Sequence, residues 1–434
     1  MNSELHKIVI VGGGAGGLEL AVKLGRKFGP KHVFLVDKDS GHIWKPSLHE
    51  VAAGTLDIHR EGLSYAMLAK DSGFTFIIGE VANIDRDARQ VQLMPVYSDG
   101  EEIFPERDLG YDTLVLAVGS KSNYFGTPGA SEFTIALDST EQAERFRQTL
   151  LRKLVIADRT QAGQADYVLN ITIVGGGATG VELAAELVEA CKNLVYYGLS
   201  NLDPAKHVKI TLLEGAARIL AVLPEKMSTA ATKLLTDRGV AVKTSVRVTS
   251  VTPEALLDAQ GQHYPSDICV WAAGIEAPSF LTALGLPTNR INQIIVDNAL
   301  RTPDAAVYAM GDCAQTPWDK DGEFLPARAQ VAHQQASFLI PVLSARIEGR
   351  EVAVDRFKFK DYGSLVSVGH SRGVGSLMGV LSGKSWFVEG LVARLMYMSL
   401  HLMHHFAVLG FVRTGSMAIG RLLLKRSAPR VKLH

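Results

Sequence analysis

The chain has 434 residues, 47% apolar and 21% charged, with 41 Gly, 16 Pro and no low-complexity tract. A single core stops growing at roughly 250–300 residues, so this length calls for at least two cores, and the composition excludes a disordered or fibrous chain. Acids and bases balance at 45 each, which excludes the overall basic field of a nucleic-acid binder, and the scattered Cys191, Cys269 and Cys313 exclude a disulfide framework or a cysteine-based metal site.

The cysteine usage suits a reduced, intracellular compartment. The first apolar run, Ile8-Val9-Ile10-Val11, follows a short polar stub that leaves no room for a signal peptide. It reads as a buried parallel strand and leads into Gly12-Gly13-Gly14-Ala15-Gly16-Gly17. Gly12 permits the tight turn, Gly14 lets backbone approach a pyrophosphate, and Gly17 lets the next helix pack closely on the strand. Leu18 to Phe28 forms that helix, its N-terminal dipole facing the phosphates. A second strand, His32 to Asp37, places Asp37 20 residues past Gly17, where an acid bonds ribose hydroxyls.

The unit returns 163 residues later as Ile171 to Val174, Gly175-Gly176-Gly177-Ala178-Thr179-Gly180, and a helix from Val181. One chain therefore holds two dinucleotide sites. The second strand, Val208 to Leu213, arrives late because about 17 extra residues, Cys191 to His207, intervene; this weakens Glu214 as the matching acid. An acid there favours NADH over NADPH, although nearby Arg218 could accept a 2'-phosphate. Tyr111 to Gly119 and Asp267 to Gly274 are apolar strands ending in small residues, where backbone passes close to a ligand. Val307 to Asp312 ends another strand in an acid; taken alone, Asp312 is more often a helix cap or turn residue.

As a set these motifs resemble the two-dinucleotide-binding-domain flavoproteins. The resemblance implies an α/β fold of two Rossmann-like domains, with FAD-binding segments 1–120 and 286–345 around an inserted NADH-binding segment 121–285, followed by a C-terminal region 346–434. It implies FAD contacts from Gly12, Gly14, Ala15, Gly16, Gly17, Asp37, Lys38, Lys45, Val81, Ala117, Gly119, Gly311, Asp312, Ala329 and Gln330. NADH contacts would come from Gly175, Gly177, Ala178, Thr179, Gly180, Glu182, Glu214, Ala273 and Gly274. Disulfide reductases of this group carry a redox cysteine pair after the second strand, where this chain reads Gly41 to Glu50 without cysteine. No dithiol relays electrons, so reduced flavin must meet its acceptor directly.

Trp44-Lys45-Pro46, the helix Ala329-Gln330-Val331-Ala332-His333-Gln334, and Lys360 to Leu365 narrow the resemblance to type II NADH:quinone oxidoreductases. It then implies a quinone pocket shaped by Ala329, Gln330 and Gln334; the two glutamines, at i and i+4, project from one helical face unless they serve as ordinary surface or capping amides. Glu182 resembles the glutamate near nicotinamide and quinone and is the candidate catalytic residue, with a solvated first-turn acid as the plainer reading.

From Gly390 to His434 there are seven Lys or Arg and no Asp or Glu, leaving 38 bases against 45 acids in the rest of the chain. Residues 386–412 suit an amphipathic interfacial helix, with Arg394, Tyr397, His401, His404 and His405 on one polar stripe. Membrane contacts are expected from Trp386, Phe387, Leu391, Leu395, Met396, Leu402, Met403, Phe406, Leu409 and Phe411, with Arg421, Lys425 and Arg426 facing anionic headgroups. The longest charge-free stretch, Leu395 to Val412, is 18 residues and only just reaches spanning length. A core or homodimer helix is the plainer alternative. The three histidines lack an acid or cysteine to complete a metal site, so none is expected.

The expected protein is a peripheral, monotopic flavoenzyme on the cytoplasmic face of a bacterial inner membrane. It would pass hydride from NADH to FAD and two electrons to a membrane quinone, without proton pumping. A soluble NAD(P)H oxidase or electron-carrier reductase, and an NADH-sensing flavin-binding interaction protein, are the alternatives.

Overall fold

The structure is a computed structural model that describes residues 5–163, 167–318, 322–350, 356–368, 373–378, 385–389 and 391–424. Ile8–Val11 lies at the centre of a five-stranded parallel sheet, between Thr113–Leu116 and Val33–Asp37, with Val307–Ala309 and Thr75–Ile78 at the edges. All four residues of the central strand are buried, which explains a continuous apolar run in place of alternation. The second sheet repeats this plan: Leu169–Val174 is central, flanked by Val208–Leu213 and Ile268–Trp271, with Ala241–Lys243 and Ile135–Ala136 outside. The chain passes between the sheets at two short strands, Lys121–Ser122 and Ile275–Glu276, which pair antiparallel with each other.

Each sheet has its own apolar core. The short helix Leu48–Ala53 follows the first sheet's second strand in sequence, yet Leu48, Val51 and Ala52 bury in the second sheet's core. It packs against the helices Thr140–Ala162 and Ala178–Tyr196, and so carries His49 and Glu50 to the second dinucleotide motif. Ala15–Phe28 packs along Ala329–Ile347 in the same way within the first core.

The C-terminal region differs from the continuous interfacial helix expected over 386–412. Trp386 and Phe387 stand on a strand, Ser385–Glu389, the last of an antiparallel three-stranded sheet with Gly363–Ser367 and Gly373–Met378. An aromatic and β-branched run such as Trp386-Phe387-Val388 favours a pleated surface over a helix. The helix begins at Leu391, ends at Leu409, and after Gly410, with φ +81°, a second helix runs from Phe411 to Leu424. Among the described residues no helix is long and apolar enough to cross a membrane. The side chains of Trp386, Phe387, Leu391, Leu395 and Arg421, and all of Lys425 and Arg426, lie outside the described part.

Candidate functional site

Both glycine motifs open on one cavity of about 2980 Å³, at the carboxyl ends of the two central strands. The motifs have matching geometry. Gly14 precedes the helix Ala15–Phe28 with φ −65° and ψ −170°, and Gly177 precedes Ala178–Tyr196 with φ −72° and ψ −175°. Neither helix has a side-chain cap, so the first N–H groups of each are open toward the cavity for an anion. A Cβ on Gly14 or Gly177 would meet no protein atom within 4 Å, whereas on Gly17 or Gly180 it would collide with the carbonyl of Gly12 or Gly175. The first pair faces ligand space and the second allows helix and strand to touch. That open cradle fits the pyrophosphate of a dinucleotide such as FAD at the first motif and NADH at the second.

The acids match as well. Asp37 Oδ2 accepts from the Gly13 N–H at 2.6 Å and Oδ1 from Asp39 N–H at 2.9 Å. Glu214 Oε2 accepts from the Gly176 N–H at 2.5 Å and Oε1 from Ala216 N–H at 2.6 Å. The long spacing to Glu214 is absorbed by a helix running to Tyr196 and a short capped turn, Pro204–His207, so the acid reaches the corresponding place. Burial raises the pKa of Asp37. Arg218 donates to the carbonyls of Leu220, Ala221 and Leu223, which engages its guanidinium in shaping its own loop.

Further round the cavity lie Ala15, Gly16, Lys45, Ala117, Gly119, Gly311, Asp312, Ala329 and Gln330, and on the second motif's side Gly175, Ala178, Thr179, Glu182, Glu214, Ala273 and Gly274. Lys45 Nζ donates to Ser120 O at 2.6 Å, and Ser120 Oγ donates to Asp312 Oδ2 at 2.9 Å. Gly12, Asp37, Lys38, Val81 and Gly180 are not among the cavity's lining residues; Val81 is buried in the three-stranded sheet that follows the first Rossmann unit.

The two singled-out glutamines differ. Gln334 is held at both ends by one residue, accepting from Lys360 N–H at 2.9 Å and donating to Lys360 O at 2.8 Å. Gln330 Oε1 is buried with no partner among the described residues. The neighbouring Gln335, fully buried, accepts from Gly311 N–H and donates to Thr316 Oγ1, fixing the turn that presents Asp312.

Glu182 is buried. Its Oε1 accepts from Ser367 N–H at 3.0 Å and its Oε2 faces His49 Nδ1 at 3.5 Å. Burial holds its pKa well above the usual carboxylate range; Ser367 opposes that shift, and Glu50 and Glu186 reinforce it. This departs from a solvated first-turn acid. The cysteines sit apart as buried thiols, pushed by burial up to about 12 at Cys191 and Cys269 and about 11 at Cys313.

Two groups went unnoticed in the sequence, and a third stands in other surroundings than expected. Glu19 is wholly buried between Lys23, His333 and Ser337, an acid on an otherwise apolar helix face. His49 stands where redox cysteines would be sought. His404 and His405, expected on an interfacial polar stripe, are buried, and His404 packs 4.4 Å from Trp44 and hydrogen-bonds His42.

Residues 6–336 match the pyridine nucleotide-disulphide oxidoreductase family. The chain is 38% identical to the type II NADH:quinone oxidoreductase of Haemophilus influenzae, over 99% of this chain and 100% of that one. It is 27% identical to that of Mycobacterium tuberculosis, over 92% and 84% of the two chains. The solved structure of NDH2 from Plasmodium falciparum in complex with NADH superposes with TM-score 0.82 at 18% identity, covering 99% of this chain and 100% of that one, which bears on the fold.

Proposed function

The chain belongs to the pyridine nucleotide-disulphide oxidoreductase family and, within it, to the type II NADH:quinone oxidoreductases, and from that premise we propose how its residues oxidise NADH and reduce a quinone. The observation that carries the reading is the shared cavity: both uncapped glycine motifs, the buried Glu182 and Gln330, whose Oε1 has no partner among the described residues, open into one space with no dithiol between them.

Residues 1–120 and 286–345 are read as the FAD segments, 121–285 as the NADH segment and 346–434 as the membrane-facing region. FAD held along Gly12 to Gly17 and Asp312 would supply the two-electron chemistry, taking hydride from NADH and passing the electron pair to quinone. Gly177 and the Ala178 helix terminus bind the NADH pyrophosphate, and Glu214 selects an unphosphorylated ribose. Gln330 orients the quinone head group with its amide. Glu182, whose burial favours the protonated carboxyl, gives a proton to the reduced quinone.

The C-terminal helices have inverted polarity. His404 and His405 are buried while Met403, Phe406, Phe411 and Val412 are 57%, 53%, 80% and 78% exposed. A face of that kind is costly in water and is stabilised against lipid, which supports peripheral membrane binding and access for a lipid-borne quinone. Met396 and Leu402 are half-buried, and Leu409 packs into the first core and takes no part in such a face.

The test is anaerobic. Purified protein with an oxidised flavin spectrum should bleach on NADH and recover on a short-chain quinone. Protein that bleaches but recovers only with oxygen would favour the oxidase reading, and protein without flavin would overturn both.

A further inference from the structure

We infer that His49 is a proton-relay residue that resupplies Glu182 during quinone reduction, an inference that rests on reading Glu182 as the proton source. The stoichiometry sets the need. NADH, one proton and quinone give NAD+ and quinol; the hydride carries both electrons and one hydrogen, so one proton per turnover must be drawn from solvent. Glu182 can give its carboxyl proton once and must then regain one, although its side chain is buried.

His49 is the ring in place to return it. It is 1% exposed, lines the same cavity, and sits on the helix Leu48–Ala53 that crosses to the second core. Its Nδ1 is 3.5 Å from Glu182 Oε2. Its Nε2 is buried with no hydrogen-bond partner among the described residues, so the ring's bond to the Pro46 carbonyl falls to Nδ1. A carbonyl only accepts, so Nδ1 carries the proton and Nε2 the lone pair. That tautomer suits a relay: a solvent proton delivered to Nε2 by water entering the shared cavity that His49 lines is matched by one leaving Nδ1 for Glu182 Oε2, so the ring stays neutral and the solvent supplies the one proton consumed. The resting ring then differs from its starting tautomer by the position of one proton and recovers by exchange or a ring flip.

The other ionisable groups facing the pair are Glu50, on the same short helix, and Glu186, one turn beyond Glu182, which accepts from Thr55 Oγ1 at 3.2 Å. Both acids favour protonation of Glu182, and Glu186 favours that of His49 as well. Burial alone pushes the His49 ring down to about 4, which keeps it neutral, and so able to accept at Nε2, at neutral pH.

The experiment compares His49→Asn, His49→Phe and Glu182→Gln by anaerobic stopped flow, with NADH and then a short-chain quinone, in H2O and D2O across pH. Asn keeps an amide N–H where Nδ1–H stood but conducts no proton. His49→Asn should keep its flavin and its reduction by NADH, slow the quinone half-reaction by roughly ten- to a hundredfold, and change its pH profile and solvent isotope effect. Added imidazole should restore part of the rate. A normal quinone half-reaction in His49→Asn with a slowed one in Glu182→Gln would overturn the relay and leave Glu182 standing. Normal half-reactions in both would overturn the reading of Glu182 itself. If both His49 variants lose flavin content alone, His49 is a packing residue and the relay is equally overturned.

Discussion

His42 Nε2 lies 2.8 Å from His404 Nε2, and this contact joins the C-terminal helix to the first glycine loop. His42 Nδ1 is 2.9 Å from the Gly13 carbonyl, which also accepts from the Tyr65 hydroxyl at 2.7 Å. Because that carbonyl only accepts, His42 holds its proton on Nδ1, its Nε2 is a lone pair, and His404 must donate. One proton is thus shared between two neutral rings.

Acid should loosen this joint. Burial lowers His42 to about 4 and His404 well below its ordinary 6.5, with His401 and His405 opposing further positive charge. A folded-state pKa below the unfolded one means stability present above about 6.5 and lost as pH falls toward 4. Hydrogen exchange of the Leu391–Leu409 amides should therefore accelerate between about pH 7.5 and pH 5 relative to the first sheet. His404→Phe, which keeps a ring against Trp44, should flatten that dependence. The same acceleration in the variant would place its cause elsewhere, the Arg413–Asp71 pair being the next contact to examine.

The two glycines of the first motif should fail differently. Gly17→Ala puts a methyl into the Gly12 carbonyl and should lower Tm by several degrees or prevent folding. Gly14→Ala places its methyl in open space with an ordinary φ of −65°, so Tm without cofactor should hardly move while flavin retention falls. Equal flavin content in Gly14→Ala and the parent would mean that no ligand approaches this backbone.

For the nucleotide, NADH should exceed NADPH in kcat/KM by at least roughly tenfold, which about 1.4 kcal/mol of differential binding already provides. Glu214→Ala should narrow the ratio. Arg218→Ala should leave it unchanged and destabilise the fold, since that guanidinium holds three carbonyls of its own loop. A drop in NADPH use specific to Arg218→Ala would show that the arginine turns toward the ribose.

Much of this was legible because a strand buried on both faces and a glycine that must lack a Cβ leave direct marks in sequence. Ile8 to Gly17 and Ile171 to Gly180 therefore read as the strand, turn and helix start that the structure has, and Glu214, despite its late arrival, takes the place that Asp37 has in the first unit. What stayed hidden depends on packing between distant segments. Nothing local to Leu48–Ala53 says that it crosses to the second core, so His49 gave no signal beside Glu182. Helical spacing put the C-terminal histidines on one stripe, but a stripe has no sign: it cannot say whether the polar or the apolar face turns inward. Gln330 and Gln334 were equivalent by the same spacing, and only the backbone of Lys360 separates them.

That separation makes the last prediction. If Gln330 binds the quinone head group and Gln334 is a staple, Gln330→Ala should raise quinone KM or lower kcat several-fold, as loss of a neutral hydrogen bond costs about 0.5–1.5 kcal/mol, and should leave flavin reduction by NADH and Tm close to the parent. Gln334→Ala removes both bonds to Lys360 and should lower Tm, with any effect on quinone following from the shifted 360–365 segment. Gln334→Glu sharpens the comparison, because a carboxylate still accepts from the Lys360 N–H but loses the bond to its carbonyl. An intermediate Tm with ordinary quinone kinetics marks a staple. A quinone KM that rises in Gln334→Glu at unchanged Tm would instead put this amide on the substrate, and would require the helix Ala329–Ile347 to release Lys360 when quinone binds.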